Sequence, residues 1–143
     1  MEYKRIDNKI LFRLEMGDKL IDSAQKIAVA ENVKLASIMG IGACSKIEMG
    51  YFDISIKEYV FKTFDGNMEI LHATGKITMK DGNQFAHIHI SVSDEECKAF
   101  GGHLNEATIS ATFEGVMSIM DDEVSREFNA DIGLSLINVC GIK

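Results

Sequence analysis

Residues 68–93, MEILHATGKITMKDGNQFAHIHISVS, contain the pattern that decides the fold. Two runs with many β-branched residues flank Asp81-Gly82, and residues of this kind favour extended strands. The Asp-Gly pair favours the tight turn of a two-stranded hairpin, because glycine adopts a positive φ without steric cost. The stretch therefore predicts two antiparallel strands, at residues 68–79 and 84–93.

One helix stands out from the remaining sequence, in residues 18–34, DKLIDSAQKIAVAENVK. Asp18 is its expected N-cap and Asn32 its expected C-terminal stop. Its apolar residues recur with helical spacing and form a single stripe. That stripe comprises Leu20, Ile21, Ala24, Ile27 and Ala28. We expect the helix to serve core packing.

Further strand patterns predict the fold class. They cover residues 9–14, 36–39, 47–56, 58–64 and 108–120. One main helix with about seven strands, mostly joined by hairpins, predicts an α+β fold with an antiparallel or mixed β-sheet packed on that helix. No proline, repeat or low-complexity linker divides the chain, so we expect a single domain over residues 1–143.

Composition limits the cellular location and the class of partner. No apolar run approaches the roughly 20 residues of a membrane span, and the charged start does not resemble a secretory signal. We therefore expect a cytoplasmic protein that does not associate with membranes. The net charge is −7, and residues 51–143 carry seven Lys/Arg against fifteen Asp/Glu. This balance has the wrong sign for a simple nucleic-acid-binding protein, which gains affinity by neutralising phosphates.

The three cysteines are Cys44, Cys97 and Cys140, an odd number at wide spacing. They form no CxxC motif, which argues against a disulfide framework and against a thiolate zinc site. We expect reduced, partly buried thiols.

Three of the four histidines lie in residues 86–104, AHIHISVSDEECKAFGGHL. His87 and His89 are two positions apart on a predicted strand, so their side chains should point to the same face. His103 follows Gly101-Gly102, a pair that would let the backbone turn sharply beside it. Three neutral imidazoles with an open position are a familiar site for zinc, iron, nickel or copper. The sequence therefore predicts a divalent metal site at these histidines and leaves the ion open among these four metals.

Other roles for the polar residues near this site stay open. An HxH pair also occurs on strands as a half-exposed polar face, in which case the histidines would be structural. His72 lies on a separate strand without a partner at ligand spacing, and we expect it to be structural. Glu114 and Glu69 are candidates to complete the metal shell or to orient a ring.

Gly40-Ile41-Gly42 invites comparison with a phosphate-binding loop. It lacks the third glycine of GxGxxG and the lysine of a P-loop, so we expect a tight turn or close strand packing there. No Ser-His-Asp or Cys-His pairing is visible along the sequence. Spacing alone excludes none, because such triads assemble in space.

The chain resembles a prokaryotic single-domain member of the PPC family (plants and prokaryotes conserved, also called domain of unknown function 296). Five segments occur in the order seen in that family. They are GIGACSKIEMGYFD at 40–53, MEILHATGKI at 68–77, HIHISVSD at 87–94, GGHL at 101–104 and ATFEG at 111–115. The combination of HxH with GGHL is the most specific part of the likeness, which extends over nearly the whole chain.

The resemblance implies an α+β domain that assembles as a homotrimer. It also implies that His87, His89 and His103 match the family's histidine motif, which in prokaryotic relatives looks like a metal site, with zinc favoured. Plant members carry AT-hook arms that bind A·T-rich DNA, and many prokaryotic relatives are described as DNA-binding proteins. This chain has no proline and so lacks the Arg-Gly-Arg-Pro core of an AT-hook. It also departs from the family near Cys97, where a glycine is usual, and at His72, where serine is common.

Three functions are compatible with these observations. The first is a trimeric metal-binding PPC protein that acts as a regulatory module, with DNA as a partner implied by the resemblance and opposed by the net charge. The second is a small metal-dependent enzyme or small-molecule-binding protein that uses the open metal position. The third is a plain oligomerisation domain with structural histidines. No reaction can be read from the sequence, and we expect that the protein is not an enzyme.

Overall fold

The computed structural model describes residues 1–139, so Cys140 lies outside the described residues. It contains the expected helix and a set of strands, which confirms the α+β class. The elements in chain order are β1 Glu2–Ile6, β2 Lys9–Glu15, α1 Leu20–Ala30, β3 Ala36–Asp53, β4 Glu58–Lys80, β5 Asn83–Ser93, β6 Ala99–Ile119, β7 Arg126–Asn129 and β8 Leu134–Ile137. Within residues 1–139, no helix is long and apolar enough to cross a membrane.

The main sheet has six strands in the order β1-β2-β6-β3-β4-β5, and all of its ladders are antiparallel. β5 also pairs with the first residues of β6, so the sheet curls back on itself. β7 and β8 form a separate two-stranded hairpin. The curled sheet and α1 share one apolar core.

The hairpin predicted from residues 68–93 is present as β4, a two-residue turn and β5. Asp81 and Gly82 both have positive φ, 51° and 78°, which is the backbone of the tight hairpin turn that the Asp-Gly pair favours. Lys80 pairs with Asn83 at the start of the ladder. The hairpin prediction is therefore confirmed.

Several strands are longer than the sequence pattern indicates. Gly40 and Gly42 lie inside β3, where a register shift between them marks an irregularity, and Asp65-Gly66 lies inside β4. A Cβ on Gly40 would collide with the ring of Phe113 on β6. Close strand packing, and not a tight turn, is therefore the reason for glycine at 40 and 42.

Helix α1 buries the expected stripe and packs against β5 and β6. Asn32 adopts a φ of 51°, which confirms the predicted C-terminal stop. The predicted N-cap was wrong, because the cap residue is Lys19 and its side chain makes no capping bond. The Asp18 carboxylate instead accepts a hydrogen bond from the Glu15 backbone N–H at 2.9 Å.

The first turn of α1 is capped by a residue distant in sequence. The Ile21 N–H donates to Oε1 of Glu106 at 2.8 Å, and the Asp22 N–H donates to Oε2 at 3.3 Å. Glu106 lies on β6, so one carboxylate satisfies two free helix donors and ties α1 to the sheet.

We predict that Glu106→Ala lowers the free energy of unfolding by about 1 kcal/mol, the usual cost of losing a cap side chain. Urea unfolding followed by circular dichroism measures this change. Glu58→Ala, at an exposed position, is the matched control and should stay close to wild type. Equal losses in the two variants would contradict the capping role.

Candidate metal centre

Three histidines meet where the sheet curls closed. His89 on β5 pairs directly with His103 on β6, and His103 also lies opposite Gly50 on β3. His87 lies two residues before His89, while Ile88 between them is fully buried. The prediction that His87 and His89 share one face of a strand is therefore confirmed by the burial pattern.

The three imidazoles are close enough to bind one ion. One ring nitrogen from each of His87, His89 and His103 lies within 4.8 Å of the others. Nε2 of His87 is 3.1 Å from Nδ1 of His103. Two nitrogens on one tetrahedral zinc, each bonded at about 2.0–2.1 Å, lie about 3.3 Å apart. The donor set fits a divalent metal, because the His87–His103 nitrogen separation is close to that value and the nitrogen of His89 lies within 4.8 Å of both.

Gly101-Gly102 brings His103 into place differently from our expectation. Both residues lie in extended β6, and neither is among the glycines with positive φ, so the predicted sharp turn was wrong. A Cβ on Gly102 would lie 2.5 Å from the Gly50 carbonyl oxygen, and a Cβ on Gly101 would collide with the Ile90 carbonyl oxygen. The two glycines therefore allow β6 to approach both β3 and β5 closely, directly before His103.

The other candidate residues lie away from the cluster. Glu114 is far along β6, in register with Arg13 and Ile41. Glu69 lies near Cys44. Burial, followed by the charge of Glu69, raises the pKa of the Cys44 thiol to about 11. Among residues 1–139, the three histidines are the one group placed to hold a metal, so the structure does not bring Glu114 or Glu69 to it. Gly40 and Gly42 also lie away from the histidines, where they pack against Phe113. His72 is exposed on β4.

Arg126 was missed by the sequence analysis. It begins β7, and its guanidinium donates from Nη2 to Nδ1 of His87 at 3.1 Å. Nε donates to the buried Thr78 hydroxyl at 2.9 Å, and Nη1 donates to the Ser135 carbonyl at 3.0 Å. A lone arginine in a short C-terminal segment carries no motif, so no local signal could have found it.

Aromatic side chains form the walls of the cluster. The Tyr59 ring stacks on His103 with centroids 4.4 Å apart, and Phe61 lies beyond it. The Arg126 guanidinium lies over the Phe85 ring at 5.3 Å. Burial raises the pKa of Tyr59, while the nearby Arg126 charge acts in the opposite direction. These apolar surfaces reduce the access of water to the imidazoles.

This environment keeps two of the imidazoles uncharged. Burial, followed by the charges of His103 and Arg126, lowers the pKa of His87 to about 4. Burial, followed by His89 and Arg126, lowers the pKa of His103 to about 4 as well. Both rings are therefore neutral at pH 7, which is the form that binds metal ions.

The hydrogen bond from Arg126 also determines where the His87 proton lies. Because Nδ1 of a neutral His87 accepts from Arg126, the ring proton must be on Nε2, where it faces Nδ1 of His103. Binding of an ion at Nε2 requires that site to be free of its proton. For a neutral ring the proton then belongs on Nδ1, which can no longer accept from Arg126. Metal binding and this hydrogen bond therefore compete.

A cleft of about 460 Å³ adjoins the histidines. His87, His89 and Arg126 form one part of its lining, with Lys76 beside them. The remaining lining residues are Thr74, Gly75, Leu136 and Ile137. The cluster is therefore open to solvent on one side, and none of the described residues that line the cleft is acidic.

Comparison with known proteins identifies the family. The model of the Plants and Prokaryotes Conserved (PCC) domain matches residues 1–121. The chain belongs to the PCC domain family. The likeness to the PPC family, which is the same family under another abbreviation, is thereby confirmed. Arg126 and the β7–β8 hairpin lie after the matched part of the PCC domain.

Three solved structures share the PCC fold over nearly their whole length. A "putative DNA-binding protein" from Bacteroides thetaiotaomicron is 29% identical, with a TM-score of 0.92 and 96% of each chain covered. A metal-containing protein from Archaeoglobus fulgidus is 31% identical, with a TM-score of 0.85 and 96% of each chain covered. A plant- and prokaryote-conserved protein from Pyrococcus horikoshii is 29% identical, with a TM-score of 0.85, covering 96% of this chain and 93% of the other. Comparison with curated proteins finds no match.

We predict that the metal-free PCC domain loses stability as the pH falls from 7 towards 5. Unfolded histidines, with an ordinary pKa near 6.5, take up protons in this range that folded His87 and His103 do not. The unfolded state is therefore favoured by acid, and the stability present above pH 6.5 is lost as the pH falls towards 4. Urea unfolding in the presence of a chelator measures the change.

The double variant His87→Gln with His103→Gln should have a flatter pH dependence over the same range. His72→Gln, which alters an exposed histidine outside the cluster, should keep the wild-type dependence. If the double variant and the wild type lose equal stability between pH 7 and 5, the two buried imidazoles are not its cause.

Proposed function

We propose that this PCC-domain protein binds one divalent metal ion per chain, with zinc favoured, through His87, His89 and His103. The observation that supports this most directly is the convergence of three ring nitrogens within 4.8 Å, with two of the rings held neutral by burial. The description of the Archaeoglobus relative as metal-containing is consistent with it.

The residues of this chain would leave one coordination position free for a ligand. Three protein ligands are the number typical of zinc sites that also bind water or another molecule, and a metal there would act as a Lewis acid. The aromatic wall of Tyr59 and Phe61 fixes the His103 ring, and Thr78 holds Arg126 at the edge of the site. The open cleft beside the cluster favours a site that exchanges ligands over a purely structural one.

We predict that protein purified without a histidine tag contains about one metal ion per chain, as measured by elemental analysis. The double variant His87→Ala with His103→Ala should lose the ion, because a single remaining imidazole binds it weakly. Metal should be retained at pH 5, since protons compete poorly for the imidazoles of His87 and His103, whose pKa is lowered to about 4.

His72→Ala is the matched control, because it removes an exposed histidine on β4 that lies outside the cluster. It should retain the full metal content. Wild-type protein that takes up no zinc, nickel, iron or copper, or a double variant that retains the metal, would overturn the proposal.

We also propose that the protein assembles as a homotrimer, as the family resemblance implies. An outer apolar patch supports assembly: Leu11, Met39, Ile41 and Leu71 are each about half exposed on neighbouring strands of the main sheet. Leu11 and Met39 flank Val116 in register, so the patch is continuous across β2, β6 and β3. An exposed apolar surface that extends across several strands is typical of a protein interface.

We predict a trimer in sedimentation velocity at micromolar concentration. Ile41→Lys should shift the protein towards monomer, because it would bury a charge in the proposed interface. Ile54→Lys, at another exposed isoleucine, in the turn between β3 and β4, should leave the assembly unchanged. A wild-type monomer would contradict the proposal.

DNA association is suggested by the description of the Bacteroides protein. The net charge of −7 opposes it for this chain, because phosphate neutralisation supplies most non-specific DNA affinity. We place a metal-dependent small-molecule function ahead of it, on the basis of the cleft beside the histidines. We further propose that residues 1–143 form one domain that acts in the cytoplasm.

A further inference from the structure

We propose that the cleft beside the histidines binds the oxyanion group of a small organic molecule, a carboxylate or a phosphate, between Arg126, Lys76 and the metal position. The proposal rests on the metal-binding function given above. It adds a ligand class and two binding residues, of which Arg126 lies outside the matched PCC domain.

Within the part of the chain that the structure describes, Arg126 is a partly buried cation without an anionic partner. None of the ion pairs found among residues 1–139 includes it. Its three hydrogen bonds go to neutral groups on Thr78, Ser135 and His87, which leaves two of its five N–H donors unused within the described residues. A partly buried charge is costly unless an opposite charge compensates it. A bound anion would provide that compensation.

Lys76 adds a second positive charge to the lining of the cleft. It is exposed on β4 in register with His87, and it too takes part in none of the ion pairs found among residues 1–139. The hydroxyl of Thr74, which pairs with His89, is also part of the lining. Among residues 1–139, the lining carries two cations and no carboxylate, in a chain whose net charge is −7. A local excess of positive charge in an acidic protein favours the binding of an anion at this place.

The size and lining of the cleft favour a small molecule. Its volume of about 460 Å³ lies in the range of small-ligand sites. Leu136 and Ile137 on β8 provide an apolar side that could contact the hydrocarbon part of such a ligand. The planar guanidinium matches the paired oxygens of a carboxylate or phosphate, with two parallel N–H donors.

Metal binding should strengthen anion binding. When His87 gives up its acceptor role at Nδ1, the Nη2 donor of Arg126 is released for the anion. The positive charge of the metal ion also attracts the anion. Each ligand should therefore raise the affinity for the other, as linkage requires.

The test is isothermal titration calorimetry of the full-length, zinc-loaded protein with benzoate and, separately, with phenyl phosphate. At least one of the two anions should bind at one molecule per chain. The anion that binds more tightly shows whether the natural ligand group is a carboxylate or a phosphate. Removal of zinc with a chelator should weaken binding. Arg126→Gln should weaken it about tenfold or more, the scale of a lost charge-assisted pair of hydrogen bonds.

Lys76→Gln should also weaken binding, whereas Lys62→Gln, which removes a charge from the same strand outside the cleft, should not. This matched pair carries the test if Arg126→Gln fails to fold. Zinc content is measured in every sample. Zinc-loaded wild type that binds neither anion, or an affinity unchanged by both cleft variants, would overturn the inference while leaving the metal site intact. Wild-type protein that takes up none of zinc, nickel, iron and copper would instead overturn the proposed function.

Discussion

The pairing of β6 with both β3 and β5 is the constraint on which the site depends. Its first residues pair with β5 and its later residues pair with β3, and His103 takes part in both ladders. Backbones can approach this closely only because Gly102 has no Cβ to meet the Gly50 carbonyl. The result is a closed curl that places His103 beside His89, so the histidine cluster is a consequence of strand closure rather than of local sequence.

The electrostatics of the cluster follow from its partial burial. Desolvation holds His87 and His103 neutral, and the nearby Arg126 guanidinium opposes their protonation further. Arg126 is held by the buried Thr78 hydroxyl and a backbone carbonyl, partners that cannot neutralise its charge. Neutral imidazoles next to a cation that has no anionic partner among residues 1–139 suit the proposed binding of a metal together with an anion. They are a poor arrangement for structural packing alone, which would be better served by apolar side chains.

Local patterns predicted the parts of the fold that depend on local physics. Asp81-Gly82 specifies a turn through the backbone freedom of glycine, and the stripe around Ile27 specifies a buried helix face. Predictions failed where a distant strand supplied the partner. Asp18 has the chemistry of an N-cap, yet Glu106 provides the cap because β6 brings its carboxylate to the helix end. Gly101-Gly102 indicated a turn, yet both glycines serve close strand approach.

The sequence by itself determined the α+β class, the main hairpin, the shared face of His87 and His89, and the family. Each of these depends on periodicity, on turn chemistry or on a motif, and these act over a few neighbouring residues. Only the tertiary structure decided that His103 meets the pair, that Glu114 and Glu69 lie elsewhere, and that Arg126 joins the site. These outcomes depend on which strands lie side by side, and residues remote in sequence come into contact only when the sheet closes.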